Sequence, residues 1–377
     1  MFGKAWRRAS TAFAGAAVVL SAGIFGGAGA NAALVTPRSS ELQNASRATA
    51  TVPWKSVGAG WVLAEYSAGK NGPVTLYLVS ASGTKYALRS PAGGTLIAWS
   101  ANKTDALFEL GSANKLEQLN LQTGKASKLD LPAGSYSLGY TQPAGKQVLA
   151  VTQKGSTQAL ATYSLSGKLA ETLGSTKDSA GVSGIDAANG SAFAVSAPTG
   201  LRLVSSSGKL LKNLPVPDAG LGCWPVRWWT ASKALVNCLS TSGGSYYSHL
   251  YLVPTNGARP TELTPVRKSS YDLGDLDAWQ LPSGLYLQSA GACGTLEINK
   301  QAANGSLAKV SVPGTSTPSY KVVTADGARL LIETEGCVRG GQLLWLNPAT
   351  HAETWLFRSG TVLVVPFADP QDPLVQV

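Results

Sequence analysis

One strand-turn-strand unit recurs along this chain at nearly constant spacing. Each copy has an alternating apolar strand, a glycine-centred turn and a second strand, as in LYLVSASGTKYALRS from Leu76. Seven copies are present, and they begin at Leu76, Leu116, Ala159, Leu201, Leu250, Leu296 and Leu343. A fixed period of this length is typical of repeat architectures, in which each unit packs against the next.

The turn of the unit explains its glycines. A tight hairpin needs positive φ at a central residue, which glycine adopts without steric cost. The turn glycines are Gly83, Gly124, Gly167, Gly208, Gly257 and Gly305, spaced 41 to 49 residues apart. The seventh copy turns near His351 without glycine. A further strand pair precedes most copies, which gives four short strands per repeat. We therefore predict an all-β fold, a seven-bladed β-propeller of four-stranded antiparallel blades.

The first repeat leaves two assignments open for its innermost strand. Residues 361–367 follow the last full repeat as an unpaired apolar strand, so they can complete the first blade beside residues 61–66 and close the ring. Residues 50–55 are the competing assignment. We favour closure by the C-terminal strand, because an open edge would expose unpaired backbone N–H and C=O groups.

The N-terminal residues predict export. Lys4, Arg7 and Arg8 precede an uncharged Ala/Gly/Val/Leu stretch that ends at Ala32. This pattern is typical of a secretory signal peptide, so we expect residues 1–32 to be removed near Ala32. Residues 33–50 are predicted to be a flexible leader and residues 51–377 a single propeller domain. The expected location is extracellular or cell-wall associated, without a transmembrane segment, and Sec and twin-arginine export both remain open.

Composition and charge exclude several classes of protein. The chain is 44% hydrophobic and 14% charged, which argues against a disordered chain and against a highly charged coiled coil. The formal net charge of +10 includes three positive charges in residues 1–32, so +7 remains after them. Lys and Arg form no run in this remainder, so nucleic-acid binding is not expected. We expect a monomer whose partner is an unknown protein or a cell-envelope polymer.

Short turns within the strand pairs carry a family resemblance. The stretches Ser100–Lys103, Thr141–Lys146 and Thr324–Arg329 resemble the turn that announces the second strand in TolB-like and WD-repeat-like propellers. The opening from Val52 also resembles exported actinobacterial members of that group. The resemblance implies a propeller that acts as a protein-binding or ligand-binding scaffold, and it implies no catalytic residues. The recurring Trp-Asp dipeptide of the eukaryotic repeat is missing from this sequence.

Four cysteines in an exported chain predict two disulfides, and three pairings are possible. Cys223 and Cys238 bracket one predicted hairpin, whereas Cys293 and Cys337 follow the second strand of their own repeats. We favour Cys223 with Cys238 and Cys293 with Cys337. Redox or metal chemistry by free thiols is the alternative, but no Cys-x-x-Cys motif supports it.

The cysteines indicate a candidate binding surface. In a propeller, the loops from second to third strand and the loops between blades lie on one face, and all four cysteines map there. Loops that are cross-linked by disulfides lose less conformational entropy when they bind a partner. The candidate binding residues, from the predicted loops starting at Ser240, Pro265 and Glu335, are Tyr246, Tyr247, Lys268, Tyr271, Asp272 and Arg339. The alternative is that these loops are longer and stapled only for durability outside the cell.

Two local clusters suggest other ligands. The run from Trp224 to Trp229 contains three tryptophans and an arginine, which can stack on and bind a sugar, although packing between sheets is the stronger explanation. Asp272, Asp275 and Asp277 form an acidic cluster in a predicted loop, and whether it binds calcium stays open. No metal site is predicted.

Catalysis is not expected from the sequence. The two histidines, His249 and His351, belong to no recognisable catalytic constellation, and the common hydrolase, metalloprotease and phosphate-binding motifs are missing. We therefore expect a binding scaffold without a cofactor. The alternatives are a carbohydrate- or cell-wall-binding protein and a cofactor-free propeller enzyme, a lyase or a hydrolase.

Overall fold

The structure is a computed structural model that describes most of the chain after residue 50. The described ranges are 51–69, 72–177, 181–217, 221–242, 245–266, 272–291, 295–314, 319–334 and 341–367. The predicted signal peptide and leader therefore lie outside the described residues. In these ranges the fold is all-β, apart from short 3₁₀ turns such as Trp54–Ser56, and no helix has the length and apolar character needed to cross a membrane.

The strands are short and follow one another in regular order. The first fifteen are β1 (Val62–Ser67), β2 (Thr75–Val79), β3 (Lys85–Leu88), β4 (Gly94–Trp99), β5 (Asp105–Leu110), β6 (Ser112–Asn120), β7 (Ala126–Asp130), β8 (Ser135–Tyr140), β9 (Gln147–Lys154), β10 (Thr157–Ser164), β11 (Leu169–Thr176), β12 (Gly184–Asp186), β13 (Ala192–Ala197), β14 (Gly200–Ser205) and β15 (Leu210–Pro215). The others are β16 (Cys223–Thr230), β17 (Lys233–Ser242), β18 (Ser245–Pro254), β19 (Thr261–Glu262), β20 (Asp272–Leu281), β21 (Gly284–Gly291), β22 (Leu296–Gln301), β23 (Leu307–Lys309), β24 (Tyr320–Asp326), β25 (Arg329–Thr334), β26 (Leu343–Asn347), β27 (Ala352–Phe357) and β28 (Thr361–Pro366).

These strands form a β-propeller with two kinds of sheet. Five sheets have four antiparallel strands each, in the orders β28-β1-β2-β3, β4-β5-β6-β7, β8-β9-β10-β11, β12-β13-β14-β15 and β24-β25-β26-β27. The strands β16 to β23 form one eight-stranded sheet, in which β18 pairs with β19 and also, in parallel, with β20. The first strands of several consecutive sheets touch one another, as β28 does with β4 and β24.

The prediction of seven separate four-stranded blades is wrong. Five such blades are present, and the two repeats predicted between residues 223 and 309 belong to one continuous sheet. A single parallel pair, Ser248 with Gly274, joins them. The backbones approach so closely there that a Cβ on Gly274 would lie 1.8 Å from the carbonyl oxygen of Ser248. The missing side chain of one glycine therefore permits the merger of the two sheets.

Ring closure by the C-terminal strand is confirmed. β28 pairs antiparallel with β1, with Val62 opposite Pro366 and Ser67 opposite Thr361. The competing assignment is wrong, because Trp54–Ser56 form a 3₁₀ turn instead of an inner strand. The first sheet is thus built from both ends of the described chain, and no unpaired inner edge remains on β1.

The predicted turn chemistry is also confirmed. All six turn glycines have positive φ, between 71° and 88°. His351 occupies the corresponding place in the seventh copy with φ of 58°, one of two non-glycine residues in the described chain with positive φ. The repeated hairpin therefore keeps one backbone conformation even where glycine is absent.

Apolar side chains pack mainly between neighbouring sheets. Leu63 and Leu78 of the first sheet, for example, pack with Leu96 and Phe108 of the next. Between the two parts of the eight-stranded sheet the fully buried apolar residues are fewer, and they are Leu235, Leu250, Ala278 and Leu287. Partly buried apolar side chains pack against these four, and buried polar side chains such as Asn237 and Asp275 also lie in that junction.

Candidate functional site

One of the two predicted disulfides lies within the described residues. Cys223 begins β16 and lies directly opposite Cys238 on β17, with the Cα atoms 4.2 Å apart and the sulfurs bonded at 2.02 Å. This pairing is confirmed. Cys293 and Cys337 lie outside the described residues, so their pairing stays a prediction. We use the term cystine-bearing face for the side of the propeller that carries Cys223–Cys238 and the turns from second to third strands.

The predicted binding residues are only partly described. Lys268, Tyr271 and Arg339 lie outside the described residues, and Asp272 is the first residue of β20, where it pairs with Gly291. Tyr246 and Tyr247 are described, and they differ: Tyr246 is 48% exposed whereas Tyr247 is 7% exposed. Alternation along a strand explains this, since consecutive side chains point to opposite faces. Of this pair, Tyr246 alone is available to a partner.

The segment that carries Tyr246 consists of two paired strands, whereas the sequence predicted a loop from Ser240 to His249. β17 and β18 have 10 residues each, and four residue pairs continue past Cys238, from Leu239 opposite Ser248 to Ser242 opposite Ser245. At about 3.4 Å per residue this extension reaches about 14 Å beyond the disulfide. We call the described residues of this extension, 239–242 and 245–248, the Tyr246 hairpin.

The Tyr246 hairpin is held from two sides. The disulfide fixes its base to β16, and the close approach of Gly274 to Ser248 fixes its returning strand to β20. Such support lowers the entropy that a partner must remove on binding. The hairpin is therefore a supported element of the cystine-bearing face, with Tyr246 on its exposed side.

A buried hydrogen-bond network lies beneath the hairpin, between β17 and β20. Asn237 donates from Nδ2 to the carbonyl oxygen of Asp275 at 2.8 Å. The Asp275 carboxylate, fully buried, accepts from the hydroxyl of Ser289 at 2.7 Å, and Ser289 in turn accepts from Asn299 at 3.0 Å. A satisfied network of this kind fixes the relative position of the strands that carry it.

Asp272, Asp275 and Asp277, the residues considered as a calcium cluster, do not lie in a loop. They lie along the strand β20. Asp275 is engaged in the network above, and both carboxylate oxygens of Asp277 lie 2.8 Å from Nη1 of Arg227. Within the described ranges, no group of three His, Cys, Asp or Glu side chains is placed to hold a metal ion.

The tryptophan-rich run from Trp224 does not form one exposed face. Arg227 is buried, with its guanidinium 4.5 Å from the ring centre of Trp279. Trp228 is also buried, and its Nε1 donates to the carbonyl oxygen of Asp186 at 2.7 Å. Both side chains therefore stabilise contacts between sheets, as the packing interpretation predicted. Trp224 is only partly buried and faces a surface depression.

Asp186 connects three successive sheets at the end of β12. Its carboxylate accepts a hydrogen bond from the backbone N–H of Gln142, which follows β8, while its carbonyl oxygen accepts from Trp228 of β16. Burial raises the pKa of the Asp186 carboxyl from 3.8 to about 6, although the hydrogen bond from Gln142 opposes this shift. Asp186 therefore links three sheets, and its carboxyl group changes its charge near pH 6.

The depression beside Trp224 lies on the cystine-bearing face, where three successive sheets meet. Its walls come from the end of β11, the β13–β14 turn and the start of β16. Its lining residues include Ser175, Thr176, Ser196, Arg202, Cys223 and Trp224. Arg202 and Ser175 were not predicted as site residues, because they belong to different repeats from Trp224. The one sequence feature that could have indicated Arg202 is its charge within the otherwise apolar strand LRLV.

Comparisons with known proteins support the fold. No protein-family model matches the chain, and no curated protein matches it. Among solved structures, it is similar to a puromycin-hydrolysing peptidase from Mycobacterium tuberculosis, at 15% identity over 80% of this chain and 52% of that one, with a TM-score of 0.51. A prolyl endopeptidase structure gives 14% identity over 82% of this chain and 51% of that one, with a TM-score of 0.52.

TolB from Acinetobacter baumannii is a further neighbour, at 13% identity over 80% of this chain and 65% of that one, with a TM-score of 0.42. That score is too low to carry an argument. This chain spans about half the length of the two peptidases. At these identities the likeness shows a shared fold and transfers no activity, since one fold supports many functions. The two peptidase neighbours thus support the propeller fold, and the TolB-like, WD-repeat and actinobacterial aspects of the resemblance stay predictions.

Proposed function

We propose that this protein is a binding scaffold that works outside the cytoplasm, where a partner protein docks on the Tyr246 hairpin. The observation that carries the proposal is an exposed tyrosine on a hairpin that a disulfide and a close contact with a neighbouring strand support. Tyr246 is 48% exposed although the neighbouring Tyr247 is buried, and the hairpin beneath it is held by the disulfide and by Gly274. Tyrosine supplies a large contact area at low entropic cost, and it is enriched at interface hot spots.

The scaffold function is favoured over catalysis by the form of this surface. An exposed tyrosine on a supported hairpin offers contact area to another surface, whereas enzyme sites are concave and enclose much of their substrate. The depression beside Trp224 has a volume of only about 40 Å³, which holds a few water molecules. The peptidase neighbours share the fold, and their activities are not needed to explain this geometry.

The test is quantitative capture from the envelope fraction of the producing organism. Wild-type protein, Tyr246→Ala and Leu169→Ala are immobilised, and the captured proteins are compared by mass spectrometry. Leu169 is 58% exposed on the outer strand β11, so its replacement removes a similar exposed apolar area elsewhere. We expect a partner that Tyr246→Ala captures at least tenfold less, a loss of about 1.4 kcal/mol, and that Leu169→Ala captures normally.

Two results would contradict the proposal. Equal capture by wild type and Tyr246→Ala would show that the hairpin is not the docking surface. Recovery of the chain from the cytoplasm with residues 1–32 intact would show that the proposed location is wrong. Tyr247→Ala is not a suitable variant, because its buried side chain packs inside the sheet and its loss destabilises the fold.

A further inference from the structure

The depression beside Trp224 is lined by an aromatic side chain, by the positively charged Arg202 and by three glycines. Gly174, Gly181 and Gly222 are among its lining residues, and no side chain covers their peptide groups from the same residue. Trp224 lies at one wall and Arg202, an exposed residue of β14, at another. The disulfided Cys223 also lines it, so one wall is anchored to β17.

Arg202 is a cation without a counter-ion in the described structure. No hydrogen bond or ion pair joins its guanidinium to another described residue, and no acidic side chain is among the lining residues. Lys115–Asp130, Arg227–Asp277, Lys309–Glu297 and Arg329–Asp326 are ion pairs that lie elsewhere in the described chain. The guanidinium therefore keeps its donors for a ligand, and its planar fork matches a carboxylate.

The shape of the depression limits the kind of ligand. Its volume of about 40 Å³ is far below the roughly 300 Å³ or more of a pocket that surrounds a small molecule. It also provides no deep apolar hole for an anchoring side chain of a protein partner. A single ring that lies across the opening fits this shape better than an engulfed molecule or an anchoring side chain. One face of such a ring would lie against Trp224, and an acidic group on it would lie near Arg202.

We propose that this depression binds a carboxylate-bearing sugar ring of an acidic polysaccharide. The apolar C–H face of the ring packs on the indole of Trp224, while Arg202 donates two parallel hydrogen bonds to the sugar carboxylate. The hydroxyl of Ser175 and the peptide groups of the lining glycines bind ring hydroxyls. This site is separate from Tyr246, so its test does not depend on the protein partner proposed above.

The test measures binding of purified protein to three polymers by isothermal titration calorimetry at low salt. Polygalacturonate has both the ring and the carboxylate, dextran has the ring alone, and poly-L-glutamate has the carboxylate alone. We expect binding to polygalacturonate that is at least tenfold tighter than binding to either other polymer. Arg202→Gln should weaken it about tenfold to a hundredfold, as expected for loss of charge-assisted hydrogen bonds.

Arg259→Gln is the matched control, because it removes the same charge from an exposed position in the turn between β18 and β19, on the opposite side of the propeller. It should leave the affinity for polygalacturonate unchanged. Trp224→Leu should weaken binding severalfold with an unchanged melting temperature, and Arg202→Gln keeps the test valid if that variant misfolds. The proposal is overturned if polygalacturonate does not bind, if poly-L-glutamate binds equally well, or if Arg259→Gln weakens binding as much as Arg202→Gln.

Discussion

Single residues decide how tightly neighbouring repeats pack. The turn glycine Gly167 lies against the preceding sheet, where an added Cβ would be 2.2 Å from the carbonyl oxygen of Asp130. Gly305 has nearly the same φ, 81° against 79°, but no atom lies within 4 Å of its added Cβ. A substitution at Gly305 therefore introduces only the strain of positive φ, whereas one at Gly167 also introduces a steric clash.

Alanine at these two glycines should have unequal effects on stability. At Gly305 we expect a loss of about 1 kcal/mol, the cost of positive φ in an L-residue. At Gly167 the clash with Asp130 should add about 1 to 3 kcal/mol. Urea denaturation of both variants measures the difference. Equal losses would mean that the turn moves away freely and that the contact between repeats is loose.

The sequence identified the residues that act locally. Positive φ at the turns and the Cys223–Cys238 pair were predictable because both depend on neighbours within one hairpin. Arg202 beside Trp224 was not predictable, since two repeats of the ring bring them together. The exposure of Tyr246 and the burial of Tyr247 also depended on the true extent of the strands, which the sequence analysis placed in a loop.

At the scale of elements, the junction of β16–β19 with β20–β23 depends on polar contacts. Arg227 is buried against Trp279 and pairs with Asp277, and its Nε and Nη2 have no hydrogen-bond partner among the described residues. Burial raises the pKa of the Asp277 carboxyl, and Arg227 lowers it partly back. Burial of the two charges costs desolvation free energy, which their attraction offsets. A buried charge that has lost its partner would therefore destabilise the fold.

Removing one partner of this pair should cost more than removing both. Asp277→Ala leaves an unpaired buried guanidinium, and we expect a loss of about 3 to 5 kcal/mol. The double variant Arg227→Met, Asp277→Leu should be clearly more stable than Asp277→Ala, because no buried charge remains. Chemical denaturation of both variants measures the difference in their free energies of unfolding. A double variant that is no more stable than Asp277→Ala would show that the unpaired guanidinium is not the source of the loss.

The number of separate sheets could not be predicted from these elements. The merger depends on one parallel residue pair, Ser248 with Gly274, between strands that do not follow each other in the chain. Such a contact leaves no periodic signal in the sequence. The strand pairs within each repeat were predictable because alternation and turn glycines define them locally.

At the scale of the whole molecule, Asp186 couples the packing of three sheets to pH. Its folded pKa of about 6 is above the ordinary 3.8, so the folded protein keeps a proton that the unfolded chain releases between these values. The stability contributed by this group is therefore present below pH 4 and is lost as pH rises to about 6, a change of about 2 kcal/mol.

Asp186→Asn isolates this effect. The amide oxygen still accepts the hydrogen bond from Gln142, but the side chain no longer ionises. We expect the variant to gain stability relative to wild type as pH rises from 4 to 6, and to keep a constant advantage above that range. Denaturation curves at several pH values measure the difference. The same pH dependence in both proteins would place the pKa of Asp186 at its ordinary value.

The pairing of β1 with β28 also determines the order in which the chain can fold. Synthesis proceeds from the N-terminus, so β1, β2 and β3 exist long before the strand opposite Val62 is made. The later sheets can form from local contacts, but the first sheet must wait for a contact across nearly the whole chain, which is entropically slow. Until then β1 exposes a free edge, and nascent or truncated chains that lack residues 361–366 are the species most prone to aggregate through it.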